Sequence, residues 1–278
     1  MKLPRLDYGG SGTPLYFLHA NGYPPACYRP LLTKLAEQYH VFAFIQRPLL
    51  PNTAPADLED WTPLSDDLLE TLDGEETPVI CAGHSMGATV LLRAALRAPE
   101  KFRAIVLIDP VLFLPSVIFL WNSLRALGLA EKVHPFIRAA RSRRRSFDDL
   151  ERLYNSYRRK PIFRYLDDRA LRACVEGMTC PSEGKYRLCY SPEWETRIYA
   201  TNIGGDMDLW RGLPNLRPPA LILRGAETNV FRKSAARRVQ RLQPRLQLNT
   251  LEKSTHLLPF EQPEELAHRI FSFLKESL

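Results

Sequence analysis

The sequence predicts an α/β protein: a mostly parallel sheet of about six to seven strands with helices on both faces, plus an inserted helical segment. Three observations carry this. Short apolar runs alternate with amphipathic stretches from residue 15 onward. The alternation stops between about residues 111 and 217, then resumes. Finally, Gly83-His84-Ser85-Met86-Gly87 sits between an apolar run and a helix-like run, the setting of a sharp strand-to-helix turn. The predicted organisation is a core formed by 1–110 and 218–278, with 111–217 inserted as a helical cap.

Each element follows from pattern. Residues 15–19 form an apolar run after the glycine-rich 9–12 and read as a buried strand. Tyr28, Leu31, Leu32 and Leu35 recur at helical spacing. Residues 41–45 are the next strand. Pro63 sits at a plausible first helical position with Thr62 as its cap, and Leu64, Leu68, Leu69 and Leu72 give that helix one apolar face. Residues 78–82 read as a buried strand, and 88–97 as a helix that stops at Pro99. Residues 104–108 form a strand ending in Asp109. After the insertion, 220–225 and 246–251 read as strands, 233–242 as a helix, and Leu266, Ile270, Phe271 and Leu274 mark the last helix.

Composition bounds the function. A 278-residue chain that is 45% hydrophobic and 25% charged is an ordinary globular one. Residues 1–6 have no apolar run behind their charges, so a cytoplasmic protein is expected. Residues 104–124 are apolar, but Asp109, Pro110 and Pro115 make them a strand running into a helix rather than a membrane span. Cys27, Cys81, Cys174, Cys180 and Cys189 form no C-x-x-C pair, so free thiols are expected rather than disulfides or zinc.

The net charge of +7 lies in one segment. Residues 111–217 hold 19 of the 38 Lys and Arg but 12 of the 31 Asp and Glu. Within it, Arg138, Arg141, Arg143, Arg144 and Arg145 form a cluster, echoed by Arg158-Arg159-Lys160. A solvated helix face, with Arg144–Asp148 and Arg145–Asp149 as i,i+4 pairs, accounts for it. Attraction of anionic substrates or of an anionic membrane surface is the functional alternative. No nucleic-acid motif accompanies the charge.

Chemistry gathers at the carboxyl ends of parallel strands. His19, Ser85, Asp109, Glu227 and His256 each follow one. A serine hydroxyl needs a base to take its proton and a third group to hold that base. The turn around Ser85, the His19-Ala20-Asn21-Gly22 loop, the insertion and the late Ser254-Thr255-His256 together resemble the α/β-hydrolase fold. That resemblance implies Ser85 as nucleophile, His256 as base, and the backbone N–H groups of Asn21 and Met86 as the oxyanion hole. It also implies a carboxylate after the penultimate strand, where this chain reads Glu227-Thr228-Asn229. The dehalogenase branch instead takes its acid from the strand end occupied here by Asp109. Asp109 is preferred and Glu227 is the alternative.

The resemblance implies a serine hydrolase acting on esters or thioesters through an acyl-enzyme, without metal or organic cofactor. A C–C bond hydrolase or lyase remains open on the same fold, as does a non-catalytic binding protein. The apolar runs 111–114 and 117–121 would hang over the site and suit a small-molecule substrate with an apolar or acyl portion.

Overall fold

The computed structural model describes residues 1–129, 132, 134–202 and 206–278. Seven strands form one sheet: β1 (Arg5–Asp7), β2 (Pro14–Leu18), β3 (His40–Phe44), β4 (Val79–His84), β5 (Phe102–Ile108), β9 (Ala220–Gly225) and β10 (Gln247–Leu251). Their spatial order is β1-β3-β2-β4-β5-β9-β10. Every pairing is parallel except β1 with β3. The exception is a three-residue edge strand, Arg-Leu-Asp, whose residues are all exposed; it has no apolar run to announce it.

Side-chain alternation builds two cores, one on each face. Tyr16, Leu18, Cys81, Ile105, Leu107 and Ile222 pack on one side. Leu15, Phe17, Ile80, Ala82, Val106, Ile108, Leu221 and Leu223 pack on the other. Both faces are covered, so these strands read as continuous apolar runs. The helix α1 (Arg29–Leu35) covers one face with Leu31, Leu32 and Leu35, and α2 (Thr62–Leu72) covers the other with Leu64, Leu68 and Leu72. Thr62 is not the cap of α2. It is the first helical residue, and the Asp60 side chain accepts its N–H at 2.7 Å.

Between β5 and β9 the chain leaves the sheet. The helix α4 (Pro115–Ala126) follows β5 directly, and further helices include Leu150–Arg158, Asp168–Met178 and Pro192–Thr201. Among the described residues, no helix is long and apolar enough to cross a membrane. The segment is not purely helical. β6 (Ser146–Phe147), β7 (Thr179–Ser182) and β8 (Lys185–Leu188) form a small antiparallel sheet. Two expectations fail here. Cys180 and Cys189 are not free thiols but a disulfide, with Cα atoms 5.4 Å apart. Cys180 opposes Arg187 across the hairpin, so Cys189 is its diagonal same-face neighbour, a contact set by register rather than by spacing. The cysteines therefore give no argument for a reducing compartment. The Arg cluster is also not one helix face: the helix Pro135–Arg141 carries Arg138 and Arg141 and ends before Arg143, Arg144 and Arg145. Arg144 does lie 3.8 Å from Asp148, but Arg145 pairs with Glu193 instead of Asp149.

Candidate active site

Ser85 occupies the turn between β4 and α3 (Met86–Arg97), with φ 55° and ψ −116°. Few non-glycine residues adopt such a backbone, and its persistence means the surroundings over-determine it. The flanking glycines are required by contact. A Cβ on Gly83 would lie 2.6 Å from the carbonyl carbon of Gly87, and one on Gly87 would lie 2.4 Å from the carbonyl oxygen of Leu18. Met86 begins α3, where the N–H has no intrahelical acceptor.

His256 reaches Ser85 from the loop after β10, an edge strand. That loop crosses the end of β9 so closely that a Cβ on Gly225 would lie 2.2 Å from the Thr255 carbonyl oxygen. His256 Nε2 is 2.8 Å from Ser85 Oγ, and His256 Nδ1 is 2.6 Å from Asp109 Oδ2. A carboxylate only accepts, so Nδ1 carries the proton and the neutral ring presents a lone pair at Nε2 to the serine hydroxyl. Asp109 is fully buried and has φ 42° ahead of Pro110. Besides the imidazole, it accepts from Thr228 Oγ1 at 2.6 Å and from the Gly225 N–H at 3.3 Å.

Glu227 lies elsewhere. Its carboxylate is 45% exposed and accepts from Arg164 and from the Tyr165 hydroxyl, each at 2.5 Å. These donors, Tyr165 first, hold its pKa below the usual carboxylate value. It makes no hydrogen bond to His256 among the described residues.

A chain of bonds backs the site. The His256 carbonyl can only accept, so His84 Nε2 donates to it at 2.8 Å. Neutral His84 then has Nδ1 as an acceptor, and the Tyr28 hydroxyl donates to it at 2.7 Å. Tyr28 in turn accepts the Ala20 N–H at 3.0 Å. Burial, the largest cause, pushes the His84 pKa well down, which keeps the ring in this neutral form. The Glu261 carboxylate fixes the same loop through the Thr255 N–H at 2.7 Å and its hydroxyl at 2.6 Å.

In the His19–Gly22 turn, the Asn21 side chain donates to the Glu195 carbonyl at 3.1 Å, while its backbone N–H has no partner among the described residues. His19 is fully buried, and burial lowers its pKa to about 4. Ser85, His256, Asn21 and Met86 line a cavity of 120 Å³ whose other walls include Trp61, Val111, Phe113, Ile198 and Tyr199. Of the two apolar runs after Asp109, only the first lines this cavity, through Val111 and Phe113. Phe119 and Leu120 point outward, 76% and 59% exposed.

Sequence reasoning missed Thr228, Tyr28 and His84. Thr228 left one trace: it stands in a loop where an acidic residue was sought. Tyr28 and His84 left none, since one read as helix core and the other as part of the turn.

Residues 15–269 match the alpha/beta hydrolase family. The chain belongs to that family. It is 25% identical over 275 residues to a 2-(acetamidomethylene)succinate hydrolase of Mesorhizobium japonicum, an alignment covering 95% of this chain and 89% of that protein. A 106-residue stretch is 35% identical to a putative non-heme haloperoxidase of Mycobacterium phage D29, spanning 36% of this chain and 37% of that protein. The crystal structure of E-2-(acetamidomethylene)succinate hydrolase has a similar fold, with TM-score 0.80 and 22% identity over 98% of this chain and 95% of that one. A thioesterase domain from the curacin biosynthetic pathway follows at TM-score 0.73 and 15% identity, over 98% and 99%. The hydrolase fold and a hydrolytic, small-molecule chemistry follow from family membership.

Proposed function

We propose that the protein is a serine hydrolase that cleaves carboxylic esters or thioesters through an acyl-enzyme. The observation that supports it is the continuous bond series Asp109–His256–Ser85, at 2.6 and 2.8 Å. Ser85 Oγ attacks the carbonyl carbon while His256 Nε2 takes its proton. Asp109 holds the imidazole in the required tautomer and stabilises the imidazolium. The Asn21 and Met86 N–H groups receive the developing oxyanion. The C–O or C–S bond then breaks, the leaving group takes the proton from His256, and water releases the acyl group by the same steps in reverse roles. Residues 111–217 act as a cap that walls the cavity.

The test is Ser85→Ala. It should abolish hydrolysis of short p-nitrophenyl esters, with a loss of about 10⁶-fold in kcat, and remove labelling by a fluorophosphonate probe. Labelling that survives in the variant would put the nucleophile elsewhere. A second reading is favoured by the relative that matches nearly the full chain, whose named substrate carries an acetamido group rather than an ester. Under that reading the same residues act on a C–N or C–C bond, and ester turnover would be slow while probe labelling stayed intact.

A further inference from the structure

A second cavity, of 460 Å³, adjoins the one at Ser85. Tyr23, Phe136, Ile162 and Tyr199 line both, so these side chains form a wall that the two cavities share. Phe136 is 41% exposed, so the shared wall reaches the surface. The cavity at Ser85 is small. Its 120 Å³ holds about four groups the size of water, each taking roughly 30 Å³. A substrate larger than a short acyl unit extends past it, and the neighbouring cavity is the continuation that the shared walls provide.

The second cavity is charged. Arg143, Arg144 and Lys160 line it, against one carboxylate, Glu195. Glu195 is already matched: it accepts from Arg143 at 2.5 Å, and the same guanidinium also donates to the Tyr157 hydroxyl. Arg144 is half-exposed and faces Asp148. Lys160 differs. Its ammonium stands 4.3 Å from the centroid of the Tyr157 ring, and among the described residues it meets no carboxylate. An ammonium over an aromatic face still has N–H donors with which to bind a further acceptor. Lys160 is itself exposed, at the mouth of the cavity, and Tyr157, Phe163 and Phe147 give the inner walls aromatic surface.

We propose that this cavity is an anion subsite. It takes a carboxylate on the part of the substrate that extends away from Ser85, with Lys160 as the direct partner and the fixed Arg143–Glu195–Tyr157 cluster as the wall behind it. The kinetic side of this proposal rests on Ser85 being the nucleophile; the binding side does not.

The experiment compares matched pairs of p-nitrophenyl and thiol esters. Each pair has the same chain length and differs by a terminal carboxylate, on the acyl side in one series and on the leaving-group side in the other. One series should show higher kcat/KM for the anionic member, and Lys160→Met should cut that preference about ten-fold, the scale of one charge-assisted hydrogen bond. Arg159→Met removes the same charge from an exposed position outside the cavity and should leave the preference standing. If neither series prefers the anion, or if the two variants behave alike, the subsite is refuted while hydrolysis of the neutral esters still supports the enzyme. If no ester is turned over, calorimetry with glutarate decides: binding weakened about ten-fold by Lys160→Met and not by Arg159→Met supports the subsite, and equal or absent binding refutes it.

Discussion

The ends of β5 and β9 lie side by side on one sheet edge, and each is followed by a carboxylate. Asp109 is fully buried with three donors around it, one of them the His256 ring. Glu227 is nearly half exposed and bound to Arg164 and Tyr165. Strand-end position by itself therefore does not bring a carboxylate to His256. What differs is the direction in which each loop turns. A left-handed backbone at Asp109 aims its carboxylate inward. The β9 loop instead sends the Thr228 hydroxyl inward and leaves its own acid outside. A buried carboxylate without donors is costly, and Thr228 meets that need with a neutral group.

The contrast can be broken by mutation. Asp109→Asn should lose on the order of 10⁴-fold in kcat, because an amide can present its NH₂ to His256 and reverse the tautomer. Steady-state ester kinetics check this, and a loss under ten-fold would remove Asp109 from the proposed role. Thr228→Val keeps the shape and deletes the donor. A hydrogen bond to a charged group is worth about 1.5–3 kcal/mol, so kcat should fall roughly ten- to hundred-fold with KM little changed.

Buried and solvated groups should also separate on a pH scale. His84 and His19 have folded-state pKa values depressed below the unfolded value of 6.5, the latter to about 4. The unfolded chain therefore binds more protons below pH 6.5, and stability falls as pH drops through that point toward the folded values. Each buried imidazole contributes a slope of about 1.4 kcal/mol per pH unit within its window. Urea unfolding of wild type and His84→Gln at pH 7, 6 and 5 should show a shallower decline in the variant. Parallel curves would mean that His84 is protonated in the fold.

The smallest effect is expected at Glu227. Glu227→Gln should change ester turnover by less than about two-fold, since an exposed ion pair adds little. If Glu227→Gln rather than Asp109→Asn is the crippled variant, the comparison is inverted.

The chain itself determines a good deal. Alternating apolar runs specify a sheet buried on both faces. Glycines at 83 and 87, between an apolar strand and a helix, specify the turn that carries Ser85. These are local facts: which side chains are apolar, at what period, and where a Cβ would collide within a few residues or with the adjacent strand. The tertiary structure decided what depends on distant segments meeting. It turned one strand-end carboxylate toward residue 256 and the other toward Arg164, joined Cys180 to Cys189 across a hairpin, and drew Arg143 out of a charged run into contact with Glu195 and Tyr157. Such contacts arise from loop direction and strand register, and neither is encoded in the spacing of residues along the chain.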